Sequence, residues 1–124
     1  SICGIAAGTT TANLSRQSHG AADARIVALE LRFNRSLKSA DFSANSIGDE
    51  STAALSDALK TNSTLETLEL RSNEIGAAGA QSLAGMLQVN RALKSVDLRY
   101  NSIPDEGKQQ LRAAAAGKSI TLQL

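Results

Sequence analysis

The chain is 124 residues long, enough for one domain with a core of its own. Its 13 basic and 12 acidic residues leave a net charge of +1, which removes the electrostatic case for nucleic acid or an anionic membrane as partner. The lone cysteine, Cys3, excludes an internal disulfide framework and a multi-thiolate metal site, so no cofactor and a reducing, cytoplasmic setting are expected. One Tyr, two Phe and no Trp suit thin layers of Leu, Ile, Val and Ala better than a deep ligand pocket. No apolar stretch is long enough for a bilayer span, and residues 1–8 lack the basic flank of a signal peptide.

The apolar pattern recurs with a 28-residue period. Leu37, Leu65 and Leu93 share a slot, as do Ala40, Leu68 and Val96, then Phe42, Leu70 and Leu98. Asn45, Asn73 and Asn101 keep the step, followed by Ile47, Ile75 and Ile103, then Leu55, Leu83 and Leu111. In chain order, a decayed copy over 9–36 comes first, with Ala12, Leu14, Gln17 and Gly20 in the slots of Ala40, Phe42, Asn45 and Gly48. Its helix is predicted from about 21 to 33, although residues 29–34 mimic the strand around Leu68 and Leu70. Register favours helix, because Val27 and Leu31 fall in the slots of Leu55 and Leu59.

Three regular copies follow, over 37–64, 65–92 and 93–120. Each opens with a short strand, marked by two-residue alternation such as Leu68 and Leu70, and continues into a helix with apolar spacings of eight and four. Gly48, Gly76 and Pro104 stand at the helix starts, ahead of Asp49-Glu50 and Asp105-Glu106, where the dipole favours negative charge. Asn62 and Asn90 close the helices and are expected in the left-handed conformation. The Asn45/Asn73/Asn101 column is expected to be buried, satisfying main-chain groups of its own turn and the next. Leu122 and Leu124 begin a partial fifth strand, and their alternation fits best if the last repeat is two residues shorter. The absence of a polar capping repeat, and the repeat phase at Ser1, favour a segment of a longer chain.

The pattern Leu-x-x-Leu-x-Leu-x-x-Asn-x-Ile-Gly, followed by a helix, resembles the leucine-rich repeat. The 28-residue length resembles the ribonuclease-inhibitor-like subclass, which includes the sensor regions of NOD-like receptors and the GTPase-activating protein of the nuclear-transport GTPase. The resemblance implies one α/β solenoid over 1–124. It would be built of right-handed strand–helix repeats, with a parallel sheet on the concave face and helices on the convex face. For function it implies only that such scaffolds serve many partners.

Side chains alternate across a strand, so residues between the buried leucines face the concave side. Asn13, Asp41, Glu69 and Asp97 form one such column, and Ser15, Ser43, Arg71 and Arg99 form the next, with Tyr100 at the rim. An acidic column beside a partly basic one discriminates between partners, and Arg and Tyr are frequent interface hot spots. The plainer reading is that the acids merely solvate an exposed sheet.

Other signals fail. His19, the single histidine, sits in the Ile47 slot without a nucleophile or further metal ligands. Gly76-Ala-Ala-Gly79 matches a short RNA-binding loop, but the repeat register explains it and its surroundings are not basic. The Arg32/Arg35/Lys38 cluster reads as a solvated helix end. The sequence therefore predicts a non-enzymatic protein-interaction module using its concave sheet. Regulation of an enzyme, such as GTPase activation, and self-assembly through uncapped solenoid ends are the alternatives.

Overall fold

The structure, a computed structural model, describes residues 11–13, 31–32 and 37–124. Five short strands lie side by side in one parallel sheet in chain order: β1 (Thr11–Asn13), β2 (Ser39–Asp41), β3 (Thr67–Glu69), β4 (Ser95–Asp97) and β5 (Thr121–Gln123). Helix α1 (Asp49–Thr61) follows β2, α2 (Ala77–Val89) follows β3 and α3 (Asp105–Ala115) follows β4. Each strand–helix unit has one apolar face that only its neighbour covers, so the units stack. The described part of the ambiguous segment, Leu31 and Arg32, is helical, and Leu31 is fully buried.

Strand register follows the sequence slots. Ala12 stands opposite Ala40, Ala40 opposite Leu68, and Leu68 opposite Val96, each partner one repeat on. The core runs as columns through these layers: Leu37, Leu65 and Leu93 at the strand entry, and Leu55, Leu83 and Leu111 on the helices, are all buried. The small Ala40 is accompanied by the large Phe42 in its own layer, where β3 carries two leucines, Leu68 and Leu70. Such exchange of volume within a layer preserves packing density.

The N-terminus of α2 shows how neighbouring units share hydrogen bonds. Gly76 precedes the helix without a side chain to cap it, and the first turn of α2 holds no acid. Asp49, from the start of α1, supplies the acceptor instead: its Oδ1 takes the main-chain N–H of Gly76 at 2.7 Å and of Gly79 at 3.0 Å. A Cβ on Gly79 would lie 2.7 Å from that oxygen, so glycine is what permits the approach. Asp49→Ala leaves both donors without a protein acceptor and is expected to lower stability by about 1 kcal/mol. Urea unfolding checks this as a shift in midpoint at constant slope.

Two ladders of asparagines tie the layers together. In the first, Asn73 Oδ1 accepts the main-chain N–H of Asn45 and Ile47, while its Nδ2 donates to the carbonyls of Phe42, Leu70 and Arg71. Asn101 repeats this one layer on, with Oδ1 on the N–H of Asn73 and Ile75 and Nδ2 on the carbonyls of Leu70 and Leu98.

The second ladder corrects an expectation. Asn62 and Asn90 are not left-handed: their φ values are −78° and −72°, in extended backbone. They end the helices through their side chains. Asn90 Oδ1 accepts the N–H of Ala92 and Leu93, while Nδ2 donates to the carbonyls of Leu59 and Asn62. Asn62 does the same with Thr64, Leu65 and Leu31.

Lys118 occupies the same slot one repeat after Asn90. Its ammonium donates to the carbonyls of Leu87 and Asn90, the same carbonyl slots that Asn90 serves one layer before. A lysine has no acceptor, so it cannot organise the following turn as Asn62 and Asn90 do. The chain reverses at Gly117, with φ of 78°, and joins the sheet early. Leu122 pairs with Val96, two positions short of the full repeat.

Candidate functional site

The parallel register brings Asp41, Glu69 and Asp97 side by side on adjacent strands. Neighbouring strands lie about 4.8 Å apart, within reach of one another's side chains. Asn13 of β1 stands opposite Asp41, whereas Ser15 lies outside the described residues. Two residues beyond the carboxyl row come Ser43, Arg71 and Arg99.

The two columns do not remain separate strips of charge. Arg99 folds back on Asp97, with its Nε 3.1 Å from Oδ1 and a terminal nitrogen 2.8 Å from Oδ2. Arg71 reaches across from β3, placing Nε 3.5 Å from Asp97 Oδ2 and a terminal nitrogen 3.7 Å from Glu69. Asp97 is consequently only 6% exposed, and Ser43 only 9%. Strand alternation predicts both at the open surface; the guanidiniums cover the first, and the second is buried with its main-chain N–H bound to Asp41 Oδ1 at 2.9 Å.

Acidities follow from this arrangement. Burial pulls Asp97 upward, but the side-chain and main-chain hydrogen bonds of Arg99, with the charges of Arg99 and Arg71, outweigh it and hold the carboxyl below its ordinary range. Burial likewise pulls Asp41 upward, and the Ser43 hydroxyl and N–H, the Glu69 carboxyl and Arg71 together lower it. Glu69 moves the other way: burial, then the hydrogen-bonding and charge of Asp41, then Asp97, raise it against Arg71.

These shifts have opposite signs in stability. For Asp41 and Asp97 the folded value lies below the unfolded one, so their contribution is present above the ordinary carboxylate range and is lost as pH falls through the folded value. For Glu69 the folded value lies above its ordinary 4.5, so stability declines as pH rises from there through the folded value. Glu69→Gln is therefore expected to flatten that decline and to raise stability modestly at neutral pH. Urea midpoints measured across this range check it; a wild-type profile unchanged by the substitution contradicts it.

The rim is set by backbone geometry. Ala44, Ser72 and Tyr100 occupy one slot, and all three adopt positive φ, at 59°, 57° and 62°. This is the turn that directs the chain inward to the asparagine ladder. A left-handed aromatic is unfavourable by about 1–2 kcal/mol, yet Tyr100 stands 76% exposed. A cavity of about 250 Å³ lies beside it, above Leu98, Ile103 and Leu124.

One further row lies outside the two predicted columns. Lys38, Glu66 and Lys94 share a slot at the strand entries, and Glu66 lies 3.8 Å and 3.6 Å from the two ammoniums. The repeat register alone is enough to reveal their alternation of sign. Among the described residues no three His, Cys, Asp or Glu side chains are placed to hold a metal ion, and no helix is long and apolar enough to cross a membrane.

Strand–helix units in parallel register, layered on asparagine ladders, define a leucine-rich-repeat solenoid of the α/β class. Comparison with known proteins agrees. The leucine-rich repeat family profile matches residues 61–84 and 89–109. Among solved structures, leiomodin-1 actin-binding site 2 is similar, with a TM-score of 0.85 and 18% identity, covering 92% of this chain and 69% of that one. At that identity the likeness is one of fold. No curated protein matches the sequence.

Proposed function

We propose that the chain is a protein-interaction module that holds its partner on the concave sheet. The contact residues are Asn13, Ser15, Asp41, Ser43, Glu69, Arg71, Asp97, Arg99 and Tyr100. The observation that carries this reading is Asp97, which anchors two guanidiniums whose side chains remain 38% and 43% exposed. Fixing long side chains before contact reduces the ordering cost of association, and fixed arginines are frequent hot spots. Tyr100, held outward in an unfavourable backbone conformation, extends the surface to the rim.

Five strands at about 4.8 Å spacing make a sheet only about 20 Å wide, so the partner must also engage the rim to reach the area of a stable interface. The repeat length and the 13-residue helices α1 and α2 favour the ribonuclease-inhibitor-like subclass.

Actin, named with the structural neighbour, is the first partner to test. Crosslinking followed by affinity capture extends the search to other proteins. Arg71→Glu combined with Arg99→Glu is expected to weaken capture by about 100-fold or more. Because the nearly buried Asp97 loses both of its cations, the unfolding midpoint falls as well, so the variant is first shown to be folded by circular dichroism. Capture at wild-type strength by the folded double variant overturns the concave-face reading.

A further inference from the structure

We propose that the cavity beside Lys118, between the end of α2 and the entries of β4 and β5, holds a glutamate side chain from an acidic segment of a partner protein. The carboxylate takes the acceptor position that asparagine side chains fill in the two layers before it. This site stands apart from the concave face and does not depend on that reading.

The first observation is a donor that has lost its acceptor. At two successive strand entries the main-chain N–H goes to the asparagine that ends the helix: Leu65 to Asn62 Oδ1 and Leu93 to Asn90 Oδ1, both at 2.8 Å. Ser119 is the next member of this series. It precedes Thr121 as Leu93 precedes Ser95, and Thr121 and Ser95 are partners in register. Lys118 offers no acceptor, and the N–H of Ser119 donates to no group among the described residues. The turn has exchanged an acceptor for a further donor.

The second observation is the cavity itself, of about 190 Å³. Arg91, Lys94, Lys118 and Ser119 line it together with the apolar Leu93 and Ile120, and no acid does. The Lys118 ammonium donates to the carbonyls of Leu87 and Asn90, which carry only the partial charge of a helix end. It has three hydrogens, so one remains to donate. Arg91 is exposed and pairs with no group among the described residues. Lys94 alone has an acid, Glu66 at 3.6 Å, which Lys38 shares at 3.8 Å.

A carboxylate suits this set of donors. One of its oxygens can serve the Ser119 N–H and the Lys118 ammonium, and the other the planar fork of Arg91. A single negative charge suffices, because Lys94 already has Glu66 and Lys118 is partly compensated by carbonyls. The methylenes of a glutamate would lie along the half-buried Ile120.

The test titrates the full, nitrogen-15-labelled chain with short acetylated repeat peptides of Gly-Glu, of Gly-Gln and of Gly-phosphoserine. The Gly-Glu peptide is expected to shift the main-chain signal of Ser119 and the side-chain signal of Arg91, and the Gly-Gln peptide to shift neither. Arg91→Gln, at an exposed residue that holds nothing in the fold, should weaken the Gly-Glu peptide at least about tenfold. Lys118→Asn restores the missing acceptor and should abolish binding without lowering the unfolding midpoint. Absence of Gly-Glu binding, undiminished affinity in Arg91→Gln, or binding of the phosphoserine peptide alone overturns the inference. Gly-Glu binding that survives Arg91→Gln but is lost in the Arg71→Glu/Arg99→Glu variant overturns it while leaving the concave-face reading intact.

Discussion

Asn73→Ala is expected to destabilise the protein by about 3–5 kcal/mol, a large share of the roughly 5–15 kcal/mol available to a domain. The side chain serves five main-chain groups in two layers. Asn45 and Ile47 are themselves buried, so their N–H donors would be left without water or protein acceptors. Stranding a buried donor costs about 1–3 kcal/mol, and two are stranded at once. Asn101→Ala provides an internal gauge. It makes the same kinds of bond but is half-exposed, so water replaces part of what is lost and the effect should be smaller. Equilibrium unfolding of the two variants measures the difference; equal costs would contradict the role assigned to burial.

Leu68→Ala is expected to cost about 3–5 kcal/mol, the upper part of the range for leucine truncation. Leu68 is fully buried at the centre of the sheet, with Ala40 opposite it on one side and Val96 on the other. The cost of a truncation depends on how well its surroundings close the gap. Ala40 has only a methyl group, with no torsion that could carry it into the space, and the asparagine ladders tie the layers together. Thermal or urea unfolding checks this, and a loss near the bottom of that range would show that the layer collapses more freely than its contacts indicate.

The strands, helices and core columns were legible in the sequence because each depends on one residue type recurring at one slot. The register of Ala12, Ala40, Leu68 and Val96 follows from spacing alone, as does the inward turn to Asn45, Asn73 and Asn101. The site was legible only as columns. Nothing in the position of Arg71 tells that its side chain crosses to Asp97, because a long side chain pairs with whichever neighbouring slot its rotamer reaches. The burial of Asp97 and Ser43 follows from that reach and from the main-chain bond of Ser43, so strand alternation alone places both wrongly in the open. The conformation of Asn62 and Asn90 departs from expectation for a related reason. Asparagine can end a helix through backbone or side chain, and the carbonyls of the preceding repeat decide which. Lys118 shows the limit most clearly: its slot can be counted, but its lack of an acceptor acts on the turn that follows.

The direction of the asparagine ladders bears on how the protein is made. Asn62, Asn73, Asn90 and Asn101 each reach back to the preceding repeat, so the turn after Phe42, with the N–H groups of Asn45 and Ile47, waits for Asn73, 31 residues beyond Phe42. At about 5–20 residues per second, a ribosome needs about 2–6 s to deliver that residue. During synthesis each repeat therefore stays incomplete until the next has emerged, and folding advances one repeat behind the growing chain.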